Sequence, residues 1–340
     1  MLMLFGLAEG ALRVRQYVQY GSAGAGIEKL YTFDKTLGLR IPIAGFSNDR
    51  VTIDSKGFRN PEFSTPKPAN TVRVAFLGGS TTFSANASNN AATWTHIVID
   101  QLRAKYPKRK FDFINAGVPG YSSSTSIENL RLRVAKHKPD IIIIYHATND
   151  LTHFSRIEAK KVGIDFIPET GRLSWISNYS QLFYLLEKNY SLWDTERHIS
   201  SGIGKLEVPD ERLAEPFRQS LIDLVTEAQN VTDNVVLVTF SIRIRPEQND
   251  AVQIKSAVTS LYYMPYITPK GFIRYFSAYN NAIRDVAAQT GAVLIENENS
   301  IPGTEVYFKD SVHFTDKGNQ LMAERVSSGL INAGTISSHQ

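Results

Sequence analysis

The sequence contains no cysteine. Disulfide bonds, thiolate metal sites and a cysteine nucleophile are therefore excluded, while the cytoplasm and the periplasm are both compatible locations. A large excess of either charge is also lacking, since 37 Lys and Arg residues against 33 Asp and Glu residues leave a net charge of +4 over 340 residues. This balance argues against a nucleic-acid partner, and the densest basic cluster, RAKYPKRK at 103–110, is typical of a solvated surface.

A long apolar run is missing at the start of the sequence. MLMLFGLA has eight residues, against the ~20 that a membrane-spanning helix needs, and no Lys or Arg precedes it as in a signal peptide. The continuation AEGALRVRQYVQY has the pattern of an amphipathic helix that lies on a surface. Peripheral or anchored membrane association through residues 1–20, including the end of an anchor that begins upstream, stays open.

The composition that is present, 42% hydrophobic and 21% charged residues, is typical of a folded globular protein with a sizeable core. Residues 1–70 carry few periodic signals and many turn-forming residues. We predict that they form an N-terminal extension packed on the main domain, with a small hairpin around residues 54–57. Pro61, Pro66 and Pro68 indicate an extended connector at its end.

From residue 71 onward, apolar runs alternate with helical patterns, and no internal repeat is present. The runs predicted as buried strands are VRVAFLG, FDFINAG, DIIIIYH, NVVLVTFS and AVLIEN. This alternation predicts an α/β fold for residues 71–335, a three-layer α/β/α sandwich around a five-stranded parallel sheet. An aromatic-rich insert at about 151–210 and an irregular stretch at 243–270 interrupt the alternation.

The first predicted strand ends in Gly78-Gly79-Ser80, so a hydroxyl directly follows two glycines. The glycines indicate a tight turn, and the turn presents Ser80 where a helix begins. The block is not the Gly-x-Ser-x-Gly nucleophile elbow, because Thr82 stands where glycine is needed. No Gly-Lys-Ser/Thr follows, as a phosphate-binding loop requires. Taken alone, the block is more often a serine that caps a helix.

Three further blocks follow predicted strand ends or precede the last helix. Gly117 and Gly120 follow the second strand, Asn149 follows the third, and Asp310 and His313 precede the final helix. A carboxylate three residues before a histidine on a turn can accept the Nδ1–H bond and leave Nε2 as a base. Because open α/β sheets place their ligands at the carboxyl ends of the strands, we expect all four blocks to form one site.

In combination, these blocks resemble the SGNH hydrolases, also called the GDSL family of esterases and lipases, over roughly residues 70–335. The resemblance implies a flavodoxin-like fold and an ester hydrolase that uses neither a metal nor a cofactor. Resemblance to family members that are associated with the cell envelope favours an extracytoplasmic location for this protein. By motif position, the resemblance implies Ser80 as nucleophile and oxyanion donor, Gly120 and Asn149 as further oxyanion donors, His313 as base and Asp310 as the residue that orients it.

Two positions depart from the pattern of the family. Gly79 stands where the first block usually has aspartate, and Ala147 stands where the third block usually has glycine. We expect the first change to affect the rigidity of the loop, because that residue is not the nucleophile. The second is expected to narrow the pocket beside the oxyanion donors. Neither change removes a group that makes or breaks bonds.

The predicted function is hydrolysis of small acyl esters, with acetyl groups on carbohydrates as the candidate substrates. Arg243, Tyr262 and Trp175 are candidate substrate contacts in the two irregular stretches. A lysophospholipase or lipase and an O-acyltransferase are alternatives with the same site. A non-catalytic carbohydrate- or lipid-binding protein is a further alternative, although the presence of every residue of the predicted site argues against it.

Overall fold

The computed structural model describes residues 2–20, 30–164, 174–201 and 205–336. Its strands belong to a two-stranded sheet and a five-stranded sheet. In chain order they are β1 (Tyr31–Asp34), β2 (Leu39–Pro42), β3 (Thr71–Gly78), β4 (Lys110–Asn115), β5 (Ile141–Tyr145), β6 (Val235–Val238) and β7 (Val293–Ile295).

Helices make up most of the remaining regular structure. In chain order they are α1 (Leu2–Tyr20), α2 (Ser80–Phe83), α3 (Trp94–Lys105), α4 (Ser123–Asn129), α5 (Thr148–Lys161), α6 (Gln181–Ser201), α7 (Asp210–Gln229), α8 (Asp250–Tyr263), α9 (Pro269–Thr290) and α10 (Asp316–Asn332). Within the described residues, none of these helices has both the length and the apolar character needed to cross a bilayer.

The five-stranded sheet is parallel throughout, in the order β4-β3-β5-β6-β7. Every residue of β5 and β6 is buried, whereas the edge strands β4 and β7 each have partly exposed residues. Continuous apolar runs such as IIIIY are stable as strands only when helices cover both faces of the sheet. The predicted α/β/α sandwich and its five strands are therefore confirmed.

Two groups of helices cover the sheet. Helix α3 packs against α10, and α7 packs against α4, α5 and α9. Trp94, the first residue of α3, contacts the rings of Phe76 and Tyr145 in the sheet edge to face. The Tyr145 ring in turn stacks on Phe240, with ring centroids 4.5 Å apart. These aromatic rings fill the core directly below the carboxyl ends of the central strands.

The structure differs from the sequence prediction in two segments. Residues 54–57 form a tight turn closed by the Gly57 N–H on the Asp54 carbonyl (3.1 Å), and the hairpin of the extension is β1–β2 instead. The stretch 243–270 is not irregular, because it contains α8. The Asn249 side chain caps this helix by accepting from the Val252 N–H, a local bond that the apolar pattern does not reveal.

Helix α1 packs against α6, which lies far from it in sequence. The Glu9 carboxylate accepts hydrogen bonds from the Gln181 and Leu182 N–H groups (3.0 and 2.9 Å), so it caps the N-terminus of α6. Burial acts to raise the pKa of Glu9, but these bonds outweigh it and lower the pKa to about 2. The part of α1 around Glu9 is therefore docked on the protein itself.

The end of the N-terminal extension, from Phe58 to Ser64, also packs on the main domain, where it meets Arg73 of β3. Arg73 of β3 is fully buried and pairs with Asp112 of β4 at 2.7 Å. Its guanidinium donates to the carbonyls of Ser64 and His137 (both 2.8 Å) and lies 4.5 Å from the centre of the Phe63 ring. One buried cation therefore joins the connector, the sheet and the end of the helical segment after α4.

The His137 imidazole lies in the same contact region. Its ring meets Phe63 and Phe58 edge to face, with centroids 5.1 and 6.0 Å apart. Burial lowers the pKa of His137 to about 4, and the nearby charges of Lys136 and Arg73 add to this effect. The imidazole is therefore neutral in the folded protein at neutral pH.

We predict that the buried, neutral imidazole of His137 makes the protein less stable in mild acid. Because the folded pKa is below the ordinary value of 6.5, the unfolded chain binds the proton first, and stability is lost as the pH falls from 6.5 towards 4. The expected loss between pH 7 and pH 5 is at most about 2 kcal/mol. Urea unfolding of wild type and His137→Gln at both pH values measures it, with exposed His153→Gln as the control. Equal losses in wild type and His137→Gln would contradict the prediction.

Candidate active site

The predicted site blocks lie at the point where the strand order reverses. Strand β3 is flanked by β4 on one side and β5 on the other, so the chain segments after these strands converge. Ser80 begins α2 directly after β3, and Asn149 lies in the first turn of α5 after β5. Such switch points are where doubly wound sheets bind ligands.

Helix α2, which presents Ser80, has only four residues and cannot satisfy its own carbonyl groups. The Trp94 indole N–H donates to the Thr81 carbonyl (3.0 Å), and the Asn115 side-chain amide donates to the Thr82 carbonyl (3.2 Å). Both donors are buried. The turn is therefore held by side chains from α3 and from the end of β4.

Arg59, from the N-terminal extension, satisfies the next two carbonyls. Its guanidinium donates to Phe83 O and Ser84 O, both at 2.8 Å, and to the Asn90 side chain at 2.9 Å. The residue is 1% exposed, and burial lowers its pKa to about 10. A charged donor to neutral carbonyls makes a stronger bond than a neutral donor does, so Arg59 fixes the end of α2 firmly.

Glycine is required at positions 78 and 79 because neighbouring atoms leave no room for a Cβ atom. Neither residue has the positive φ that would by itself favour glycine. A Cβ atom on Gly78 would lie 2.6 Å from the Tyr145 carbonyl oxygen. A Cβ on Gly79 would lie 2.5 Å from the Asn149 amide nitrogen. Glycine at position 79 therefore leaves room for the Asn149 amide in this protein.

Ser80, His313 and Asp310 are joined in one hydrogen-bonded series. The Ser80 Oγ lies 2.7 Å from His313 Nε2, and His313 Nδ1 lies 2.8 Å from Asp310 Oδ2. The bond to the carboxylate fixes the Nδ1–H tautomer and leaves Nε2 able to accept the serine proton. The structure thus brings these three predicted residues together across 233 positions of sequence.

The Asp310 carboxylate is fixed by its own turn. Asp310 Oδ1 accepts from the backbone N–H groups of Val312 (3.0 Å) and His313 (2.9 Å). Burial acts to raise the pKa of Asp310, but the hydrogen bond from His313, its charge and these two N–H groups outweigh burial and lower the pKa. The residue is therefore ionised over the neutral range and can stabilise a charged imidazole.

Of the two glycines after β4, Gly120 is the one with an unusual backbone. It has φ +89° and no atom near its missing Cβ, whereas the Gly117 N–H is bonded to the Asn115 side chain at 3.1 Å. Asn149 Nδ2 donates to the Tyr121 carbonyl at 2.8 Å. The Asn149 amide and the backbone around Gly120 therefore lie side by side next to Ser80.

A buried acid below Asn149 holds this loop in place. Asp150 accepts from the Ser123 N–H (3.0 Å) and hydroxyl (2.6 Å), and Ser123 begins α4. Burial raises the pKa of Asp150 to about 6, against the lowering effect of these bonds. The sequence prediction did not assign a role to Asp150, although it follows Asn149 directly.

A cavity of about 530 Å³ opens over Ser80, Gly120, Asn149 and His313. Much of its wall comes from the N-terminal extension, which the sequence prediction did not place at the site. These residues are Leu30, Tyr31, Arg40, Phe46, Asn48, Arg50 and Val51. No local motif marks them, because they contribute single side chains from a hairpin and loops. Tyr263 and Met264, at the end of α8, also line the cavity.

Two of the three predicted substrate contacts, Arg243 and Tyr262, are not among the described residues that line this cavity. Arg243 faces Glu305, with their charged groups 3.6 Å apart, and Tyr262 is buried against Tyr263. Trp175 begins a short 3₁₀ helix, and its side chain lies outside the described part of the structure. Ala147 is 1% exposed and is not among the described lining residues, so its methyl group does not narrow the cavity.

Comparison with known proteins identifies the class of the protein as an ester-bond hydrolase. The chain belongs to the GDSL-like Lipase/Acylhydrolase family, whose model matches residues 76–321. The match covers more than two thirds of the chain and includes every residue of the hydrogen-bonded series described above.

Among solved structures, the chain is similar to an α/β-hydrolase enzyme, LAE5, from the metagenome of Lake Arreo, Spain, with 14% identity and a TM-score of 0.47. It is also similar to the acetylxylan esterase Axe2 from Geobacillus stearothermophilus, with 14% identity and a TM-score of 0.46. Both alignments cover 76% of this chain and 94% of the other. A comparison with curated protein sequences finds no match.

We predict that Gly79→Ala displaces the Asn149 amide and slows ester hydrolysis. The new methyl group would lie 2.5 Å from Nδ2, and this amide has to move to relieve the contact. A misplaced donor loses most of its effect, so we expect kcat/KM for 4-nitrophenyl acetate to fall by about tenfold to a hundredfold.

The Gly79→Ala loss should approach that of Asn149→Ala and should not be additive with it. Gly10→Ala is the matched control, because a methyl group at this position of α1 would have no atom within 4 Å. Wild-type kcat/KM in a folded Gly79→Ala variant would show that the position of the Asn149 amide does not matter for the reaction.

Proposed function

We propose that the protein is a serine carboxylester hydrolase that acts through a Ser80–His313–Asp310 triad. The observation that carries the proposal is the series of short contacts from Ser80 Oγ to His313 Nε2 (2.7 Å) and from His313 Nδ1 to Asp310 (2.8 Å). A serine hydroxyl is a weak nucleophile unless a neighbouring base takes its proton, and this geometry supplies such a base.

In the first half of the reaction, Ser80 Oγ attacks the ester carbonyl carbon while His313 Nε2 takes the serine proton. The tetrahedral intermediate collapses when the bond to the alcohol oxygen breaks, and His313 returns its proton to that oxygen. In the second half, His313 takes a proton from water, the hydroxide attacks the acyl-serine, and Ser80 leaves with the proton. Asp310 stays ionised and balances the charge on the imidazole.

The charge that develops on the carbonyl oxygen requires hydrogen-bond donors. We assign the backbone N–H groups of Ser80 and Gly120 and the side-chain amide of Asn149 to this role. The Ser80 N–H lies in the first turn of α2 and has no partner within the helix. The Asn149 amide has two N–H donors, of which the bond to Tyr121 O uses one. One such donor is commonly worth about 3 kcal/mol of transition-state stabilisation.

The size of the cavity supports small acyl esters, with acetylated carbohydrates as the proposed substrates. A volume of about 530 Å³ has to hold the acyl group and the alcohol together, and it is in the range of sites for single small ligands. Its wall combines the aromatic rings of Tyr31 and Phe46 with polar groups such as Asn48 and Thr152. Rings beside hydrogen-bonding groups suit a sugar better than a uniformly apolar chain.

We predict a single fluorophosphonate adduct on Ser80, detected by intact-mass spectrometry and peptide mapping. Only a serine activated by a base reacts readily with this probe. Labelling should be abolished in Ser80→Ala and slowed by about a hundredfold or more in His313→Ala. Ser124→Ala and His153→Ala are matched controls, because both side chains are exposed and lie outside the cavity. Equal labelling of folded wild type and His313→Ala would refute the triad.

We further predict that kcat/KM falls as the acyl chain lengthens from acetate to octanoate in 4-nitrophenyl esters. The alcohol is the same in the two esters, so the ratio reports only the fit of the acyl group. A ratio that favours octanoate would point to a lipase instead.

Product analysis with added sugar alcohols detects acyl transfer, because a transferase would form sugar esters at the expense of free acetate.

A further inference from the structure

Two guanidinium groups line the cavity, and both come from the N-terminal extension. We propose that Arg40 and Arg50 bind an anionic group, a carboxylate or a phosphate, on the alcohol part of the ester substrate. The anionic group is assigned to the alcohol because an acetyl group carries no charge. This inference rests on the proposed ester hydrolysis at Ser80, and it narrows the substrate from acylated carbohydrates in general to acidic ones.

Arg40 is positioned against the segment that contains Gly120. Its Nη1 lies 3.4 Å from the Pro119 carbonyl oxygen, and its guanidinium lies 4.1 Å from the centre of the Tyr31 ring. On the backbone side, the Tyr121 hydroxyl donates to the Arg40 carbonyl at 2.6 Å. The guanidinium therefore lies beside Pro119, and the backbone of Arg40 is held by Tyr121. These two residues flank Gly120, where the ester carbonyl is expected to lie.

Arg50 is positioned on the wall that follows α2. Its Nη2 donates to the Ala87 carbonyl at 3.1 Å, and its own carbonyl accepts from buried Arg59 at 3.0 Å. Arg59 is the residue that also holds the end of α2. The backbone that carries Arg50 is therefore tied directly to the turn that presents Ser80, and the two cannot shift independently.

The described residues that line the cavity include two arginines and one carboxylate, so the lining carries a net positive formal charge. Among the described residues that line it, Asp310 is the one carboxylate, and it is already bonded to His313. Within the same part of the chain, Arg40 forms no ion pair, since its contacts are the ring and the carbonyl given above. Two cations in a partly apolar cavity give a field that attracts anions and that a neutral sugar ester does not use.

Guanidinium groups are also the side chains best suited to carboxylate and phosphate. Each offers parallel N–H donors that match two oxygens of such a group. Tyr31, Phe46 and Val51 keep part of the surrounding wall apolar, which strengthens charge interactions relative to open water. An acidic substrate would therefore gain affinity from both arginines, whereas its neutral analogue would gain little.

The test compares substrates that differ only in charge. We measure kcat/KM for monoacetylated glucose, monoacetylated glucuronic acid and monoacetylated glucose 6-phosphate, with 4-nitrophenyl acetate as a check of ester hydrolysis itself. We expect wild type to prefer at least one acidic substrate over the neutral one by about tenfold at low salt, and the preference to shrink at 0.5 M KCl. The acidic substrate with the higher value identifies carboxylate or phosphate as the group recognised.

Variants locate the effect. The ratio of kcat/KM for the acidic substrate to that for the neutral substrate should fall by about threefold in Arg40→Gln, because Arg40 is exposed and water screens its charge. It should fall by about tenfold in Arg50→Gln, because Arg50 is half-buried. Arg40→Lys and Arg50→Lys should recover part of the ratio, because they keep the charge without the parallel donors. Arg131→Gln removes a surface charge outside the cavity and should keep the wild-type ratio.

A wild-type ratio of one or less, or ratios in the Gln variants equal to that of wild type, would overturn the proposal. Failure of ester hydrolysis is a separate result, since 4-nitrophenyl acetate is neutral and would then not be cleaved either. In that case, calorimetric binding of glucuronate and glucose 6-phosphate to wild type and Arg50→Gln still decides the question. Equal binding by the two proteins would refute the anion site.

Discussion

The buried carbonyl groups of α2 are the constraint on which the arrangement of the site depends. A helix of four residues leaves the carbonyls of Thr81, Thr82 and Phe83 without partners inside the helix. All three residues are buried, so water cannot satisfy these groups. Donors from three distant segments do so instead: Trp94, Asn115 and Arg59. Because an unsatisfied buried carbonyl costs about 1–3 kcal/mol, these donors decide where the turn lies, and with it the direction of the Ser80 hydroxyl.

The same constraint explains why the N-terminal extension belongs to the site. Arg59 holds the end of α2 from below, while Tyr31 and Phe46 form part of the cavity wall above it. A small apolar cluster joins the two regions, with Ile53 and Tyr31 from the extension against Phe83 from α2. A boundary at residue 70 separates two sequence patterns, but the packing at the site crosses it.

Polar groups at the carboxyl ends of β3, β4 and β5 form a second layer of support. Asp150 ties the start of α4 to α5, and the Asn149 amide ties α5 to the Tyr121 carbonyl. Each of these bonds joins segments that follow different strands, so the proposed oxyanion donors cannot move independently of the sheet. A site that stabilises a developing charge needs such fixed donors, because reorientation during the reaction would cost most of their benefit.

The sequence by itself determined the sheet and the residues that meet at its edge. Continuous apolar runs such as IIIIY are stable only inside a covered parallel sheet. Short blocks predicted the site residues: Ser80 and Asn149 at strand ends, and Asp310 and His313 before the last helix. Only the tertiary structure decided the cavity wall, since Arg40 and Arg50 come from a hairpin and a loop with no periodic pattern. It also decided why position 79 is glycine, because the contact with Asn149 joins residues 70 positions apart. Local patterns report which faces are buried, whereas contacts between distant segments depend on how the whole chain packs.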